Sequence, residues 1–218
     1  VSEYSAPLPP VAELLGLLAY AELVAFDQMA ADARLAPDLH RRAVLSEMAA
    51  REIDNYCRLA ARLGELGIEA EDAMRPYVAA LGDYHEQTLP KDWLEALAKA
   101  YVGDGVADDF YREIAAYLDP QDRDLVLDVL HDSRHADFAA EELRAAIAVD
   151  PKLANRLSMW SRRLVGEALS QAQRVAAERV ALAGLIASGG GDLSDVQALF
   201  KRLTSAHTAR MAAVGLNN

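Results

Sequence analysis

The sequence predicts an all-α protein: a four-helix bundle with one long crossover and two extra C-terminal helices. Three observations predict it. Apolar residues recur at helical spacing along most of the 218 residues, no alternating run makes a convincing strand, and caps and breakers punctuate the periodic stretches. Alanine supplies much of the 52% hydrophobic content, which favours helix and is ample for a sizeable core.

Pro9 and Pro10 precede the first helix, whose stripe runs through Leu14, Leu15, Leu18, Glu22, Ala25, Phe26 and Met29 until Pro37 stops it. A second helix follows at once, with Leu45, Met48, Glu52, Asn55, Tyr56, Leu59, Leu63 and Leu66 on one face and Gly64 and Gly67 near its end. So short a connection makes the two antiparallel neighbours. Between Gly67 and Asp92, Pro76, Gly82 and Pro90 interrupt a single short helical piece around Glu69 to Leu81, and this stretch is the crossover. A third helix, capped by Asp92, carries Leu94, Leu97, Tyr101, Asp104, Asp108, Tyr111, Ala115 and Leu118 as far as Pro120. The fourth reads as one helix through Leu125, Val129, Asp132, His135, Ala136, Ala139 and Leu143, ending before Pro151.

Beyond Pro151 a fifth helix carries Leu153, Leu157, Trp160, Leu164, Ala168, Gln171, Val175 and Val180 and stops at Gly189, Gly190 and Gly191; a sixth begins at Asp192. The triple glycine is a turn and not a phosphate loop, since no strand precedes it and no Lys with Ser or Thr follows in place. With no composition break between the fourth and fifth helices, residues 1–218 read as one domain, with a core bundle at about 10–148 and C-terminal helices at about 151–214.

No stretch reaches eighteen uninterrupted apolar residues and no basic-then-apolar leader opens the chain, so a cytoplasmic protein with no membrane partner is expected. The single cysteine, Cys57, is read as a small residue packed on its helix. The net charge of -12 is uneven: residues 151–218 carry +5 and residues 1–150 carry -17. This asymmetry permits an anionic partner such as tRNA at the C-terminal third, although a solvated helix surface gives the same pattern.

Acids sit inside the apolar stripes. Thirty residues separate Glu22 from Glu52 and twenty-eight separate Asp104 from Asp132, intervals that place them opposite one another in antiparallel helices. Ionised carboxylates buried without partners cost several kcal/mol each, and a bound cation, most simply two metal ions, removes that cost. In di-metal carboxylate bundles two helices give one Glu each and two give Glu-x-x-His. Here the set is Glu22, Glu52 with Asn55 where His is expected, Asp104, and Asp132 with His135. Asp108, one turn after Asp104, is an alternative to it. Asn offers a weaker ligand than imidazole, so one full site, on the His135 side, is expected in preference to two. Iron is the expected metal, as two ions or as one if the Asn55 side is empty, and manganese is allowed.

Each feature also has a plainer reading. A single acid in a stripe can be a salt-bridge partner, and Tyr20, Tyr56, Tyr101 and Tyr111 can be core residues with bonded hydroxyls, although they sit near the acids. His40, His85, His131 and His207 show no ligand spacing and read as surface or capping residues. No serine nucleophile elbow, zinc cysteine pair or dinucleotide fingerprint is present.

The chain resembles a known family, the actinobacterial ferritin-like proteins related to the tRNA hydroxylase that acts on methylthio-isopentenyl-adenosine. The resemblance lies in AYAELVAFDQMAADARLAP around Glu22, SEMAAREIDNY around Glu52, KAYVGDGVADDFYREI around Asp104, DSRHADF around His135, and RRLVGEALSQAQRV and LTSAHTARM near the end. It implies a ferritin-like fold, a di-iron centre that activates oxygen, hydroxylation of an unactivated carbon, and an electron donor; a homodimer is allowed. Relatives often carry His where Asn55 stands. The contrasting expectation is a ferritin-like helical binding or structural module whose metal site has decayed.

Overall fold

The computed structural model describes residues 8–130, 134–179, 182, 184 and 193–217. Helix α1 (Pro10–Asp32) starts with Pro10 at its first turn, where the missing N–H costs nothing, and runs into a 3-10 turn at Ala33–Leu35. Asp38 then caps α2 (Leu39–Glu65), its carboxylate accepting from the Arg41 amide at 2.9 Å. The two helices pack along one another as neighbours. Gly67, at φ 74°, ends α2 by turning left-handed, and the Ile68 amide closes the turn on the Leu63 carbonyl at 3.0 Å.

The crossover is more helical than expected. Helix α3 (Ala70–Met74), a 3-10 turn at Arg75–Tyr77 and α4 (Val78–Gln87) follow without a break. Pro76 tightens one turn because it lacks a donor, whereas Gly82 lies inside α4 and does not interrupt it. Helix α3 crosses α1 so closely that a Cβ on Gly16 would lie 2.4 Å from the Ala73 carbonyl oxygen.

Asp92 caps α5 (Trp93–Lys99), which continues through a π-helical turn, Ala100–Asp104, into α6 (Gly105–Ala115). Asp119 caps α7 (Pro120–Val129). The expected single fourth helix is two among the described residues: Leu130 is in a turn, and α8 (Arg134–Val149) starts after it. Side chains take the last carbonyls of α7, with Asn55 donating to Val129 O at 3.3 Å and Arg112 to Leu130 O at 3.1 Å. These bonds satisfy carbonyls that a continuing helix would otherwise use. Asp132 and His131 lie outside the described residues, as do the three glycines. Helix α9 (Lys152–Glu178) packs on α4, α5, the π turn and α8, and α10 (Leu193–Ala213) lies against α6.

Three apolar clusters build the interior. One joins α1, α2, α3, α6 and α7; a second joins α5, α8, α9 and the C-terminal residues; a small third holds Met29, Ala33, Leu45 and Ala49. Segment Pro10–Leu35 is long and apolar enough by composition to cross a membrane, although charged residues interrupt its apolar run. Its residues Leu14, Leu15 and Leu18 are packed in the first cluster, as in the core helix of a bundle. Cys57 is exposed rather than packed.

Candidate carboxylate centre

The acids fall where one apolar cluster gives way to the next. Along α1, Glu22 separates Ala19 of the first cluster from Phe26 and Met29 of the third; along α2, Glu52 separates Ala49 of the third from Leu59 of the first. Asp104 likewise stands between Tyr101 of the second cluster and Tyr111 of the first. A polar seam therefore runs through the interior.

Glu22 is 6% exposed and bonds to the Glu52 side chain, which requires a proton between the two carboxyls. Burial first, then the bond to Glu52 and its charge, push the Glu22 carboxyl far above the usual range, and Asp108 adds to the effect. Asp108 itself is raised to about 6 by burial, partly offset by Arg112, whose guanidinium lies 3.7 Å away. Asp104 is raised well above the ordinary range by burial and then by the charges of Asp108 and Glu52. Tyr111 is raised by burial and by Asp108 and Glu22, so its ring faces the same acids. Four carboxylates from three helical segments thus act on one another.

Asp104 itself is an exposed residue at the end of the π turn. The π turn sets this position. Lys99 and Asp104 are five residues apart, which in a regular α-helix is about 140° apart around the axis. The wider i→i+5 winding brings them toward one face.

Lys99 is 4% exposed, donates to the Thr88 carbonyl at 3.0 Å, and lies 5.4 Å from the centre of the Tyr84 ring. Burial lowers its pKa to about 8, against the opposing pull of Asp104 and Asp32. Asp32 is raised to about 6 by burial, moderated by Lys99. His85 is no surface residue: burial and the Lys99 charge depress it to about 3, and its Nδ1 is buried without a hydrogen-bond partner. His207 is also buried. Tyr84, raised by burial and by Asp104, covers Gly103 so tightly that a Cβ there would meet its hydroxyl at 2.8 Å.

Sequence reasoning missed Lys99, Asp32, Tyr84 and His85. Lys99 was the one with a signal, a lone charge within the apolar run Ala96–Val102. The helical register that would have joined it to Asp104 is altered by the π turn.

Asn55 points at Glu22, as its place in the pattern requires, but presents its amide nitrogen. Nδ2 donates to Glu22 Oε2 and to Val129 O, each at 3.3 Å. Both partners are acceptors, which fixes the orientation of the amide. His135, the second residue of α8, is partly buried. Among the described residues no three His, Cys, Asp or Glu side chains converge closely enough to hold a metal ion. The oxygen-only pair Glu22–Glu52 fits at most one divalent cation with water completing its coordination; it does not fit a closed four-ligand site.

No curated protein matches the chain. A family model described as a ferritin-like domain of actinomycetes matches residues 7–189. With that match covering most of its length and the helical bundle in place, the chain belongs to the actinomycete ferritin-like domain family.

Proposed function

We propose that this protein is a ferritin-like carboxylate protein that holds one divalent cation, iron or manganese, at Glu22 and Glu52 and serves an oxygen-dependent oxidation. The observation that carries the reading is the proton shared by Glu22 and Glu52 among negative neighbours, since a cation replaces that proton and relieves the repulsion. Bound iron would supply the dioxygen chemistry that hydroxylation needs, with electrons from a donor. Asp108, raised only to about 6, supplies negative charge at neutral pH, and Tyr111 is buried near the same acids. The cation is placed at Glu22–Glu52 because these two carboxyls bond to each other. Asp132 and His135 remain proposed ligands on the strength of their spacing.

A tRNA substrate rests on the resemblance to the hydroxylase. The basic C-terminal third supports it less than its sequence suggests, because Arg156, Arg174, Arg179, Arg202 and Arg210 pair with Asp92, Asp83, Glu13, Glu113 and Asp109. Those cations offset the acidic remainder of the chain.

The test is elemental analysis of protein from iron- and manganese-supplemented cells, with anaerobic melting in the presence of ferrous iron. One ion per chain, lost in Glu22→Gln, is expected. Protein that carries no metal and whose melting point ignores iron belongs to the second reading, a helical binding or structural module, which the hydrogen bond from Asn55 to Glu22 favours.

A further inference from the structure

We propose that Phe26, Met48, Trp93 and Phe138 form the substrate subsite of the carboxylate centre, and that it takes an uncharged, flat apolar group carrying one hydrogen-bond acceptor. The inference deepens the oxidation reading and rests on it. Four helices bring these side chains together around Met29 and Leu45: Phe26 from α1, Met48 from α2, Trp93 from the start of α5 and Phe138 from α8. The Trp93 and Phe138 rings meet edge to face, with their centres 6.2 Å apart. Each of the four keeps some exposed surface, whereas Met29 and Leu45 are buried, so an apolar ligand reaches the cluster from solvent. Its inner end adjoins the acids. Phe26 follows Glu22 by four residues, Met48 precedes Glu52 by four, and Phe138 follows His135 by three, each about one helical turn.

Trp93 Nε1 is buried and has no hydrogen-bond partner, whereas the other tryptophan, Trp160, donates from Nε1 to the Glu95 carbonyl at 3.0 Å. Buried donors in folded proteins are almost always paired, so a lone indole N–H among apolar side chains is a donor held for a ligand's acceptor. Charge does not suit the place. The side chains of the cluster carry none, and the ions that flank it are already matched: Arg41 of α2, one turn before Leu45, pairs at 2.6 Å with Glu142 of α8, one turn after Phe138. An ionic ligand would give up its hydration here without gaining an opposite charge. Met48 provides the give. Its unbranched thioether adapts to what packs against it, and swinging aside uncovers the Trp93 N–H. A ligand bonded there extends over the cluster and turns its other end toward Glu22 and Glu52.

The experiment titrates the full chain, ¹⁵N-labelled at its two tryptophan indoles and kept metal-free with chelator, with acetophenone, ethylbenzene and phenylacetate. Acetophenone joins a ring to a neutral acceptor; ethylbenzene lacks the acceptor, and phenylacetate is charged. NMR resolves the two indole N–H signals, which Trp93→Phe assigns or, should that variant not fold, Trp160→Phe. Acetophenone is expected to bind saturably and to shift the Trp93 signal, while that of Trp160, whose N–H is already bonded, stays in place. Ethylbenzene is expected to bind about fivefold more weakly, the worth of one neutral hydrogen bond, and phenylacetate more weakly still. Trp93→Phe should bring acetophenone down to the affinity of ethylbenzene. An unmoved Trp93 signal, equal binding of acetophenone and ethylbenzene by the natural chain, or tighter binding of phenylacetate overturns the proposal. Because binding is read on the chelated protein, a chain that never takes up metal overturns the oxidation reading and leaves the subsite standing, whereas a metal-loaded chain with an unmoved Trp93 signal does the reverse.

Discussion

The Asn55 amide donates to the Glu22 carboxylate at 3.3 Å, and the same nitrogen donates to the Val129 carbonyl at 3.3 Å. One side chain on α2 therefore ties the acid of α1 to the end of α7. The position that pattern assigns to a metal ligand is occupied by a donor, which serves the acid and the break in the fourth helix together.

Asn55→His is expected to raise metal content and the melting shift on adding ferrous iron, because neutral imidazole binds first-row metals better than an amide. Asn55→Leu is expected to lose about 1–3 kcal/mol of stability in urea unfolding, since it leaves the buried acid and the Val129 carbonyl short of a donor. Equal stability of the natural chain and Asn55→Leu would remove the bridging role.

The metal-free protein should weaken as pH rises from about 4 to about 6. Asp32 and Asp108 hold their protons in the fold up to about 6, whereas in the unfolded chain they release them near 3.9. The stability they contribute is therefore complete below pH ~4 and lost as pH passes through 6. Lys99 acts in another window: depressed to about 8 in the fold, it favours the folded state above its unfolded value near 10.4 and loses that contribution as pH falls through 8. Urea melts with chelator from pH 4 to 8 measure the acid effect. Saturating Mn²⁺ should flatten it, and Asp32→Asn should reduce it.

Glu13, 2% exposed, accepts from Arg179 Nε at 2.8 Å and from the Tyr77 hydroxyl at 2.5 Å, joining α1 to the end of α9. Arg179→Met strands that carboxylate and is expected to cost about 3–5 kcal/mol, while pairing it with Glu13→Leu should restore much of the loss. Chemical denaturation of the two singles and the double gives the coupling energy. Additive losses would show that the pair does not act as a unit.

Gly16 and Gly82 separate space from propensity. A Cβ on Gly16 would meet the backbone of Ala73 at 2.4 Å, and Gly16→Ala is expected to destabilise by about 1–3 kcal/mol despite alanine's better helix propensity. Around Gly82 nothing lies within 4 Å, so Gly82→Ala should add about 0.5–1 kcal/mol. Thermal melting of both variants decides it.

Local chemistry made the helices legible in the sequence. Asp92 caps as its type and place predict, and Pro10 and Gly67 mark a start and a stop for reasons of one residue's own geometry; Asp38 and Asp119, which the sequence reading did not single out, cap by the same chemistry. The stripes also put Glu22 on a buried face, where its side chain bonds to Glu52, because helical periodicity decides which face is buried. Tertiary structure decided the rest. The π turn shifts the register after Lys99, so a regular helical pattern does not place Asp104. His85 and Tyr84 joined the interior only because α4 packs on α9 and covers Gly103. Asn55 had the spacing of a ligand, and whether its oxygen or its nitrogen faced Glu22 was fixed by the Val129 carbonyl, a backbone acceptor 74 residues away in the chain. Periodicity is a property of neighbours along the sequence, and hydrogen-bond polarity and charge pairing are properties of neighbours in space.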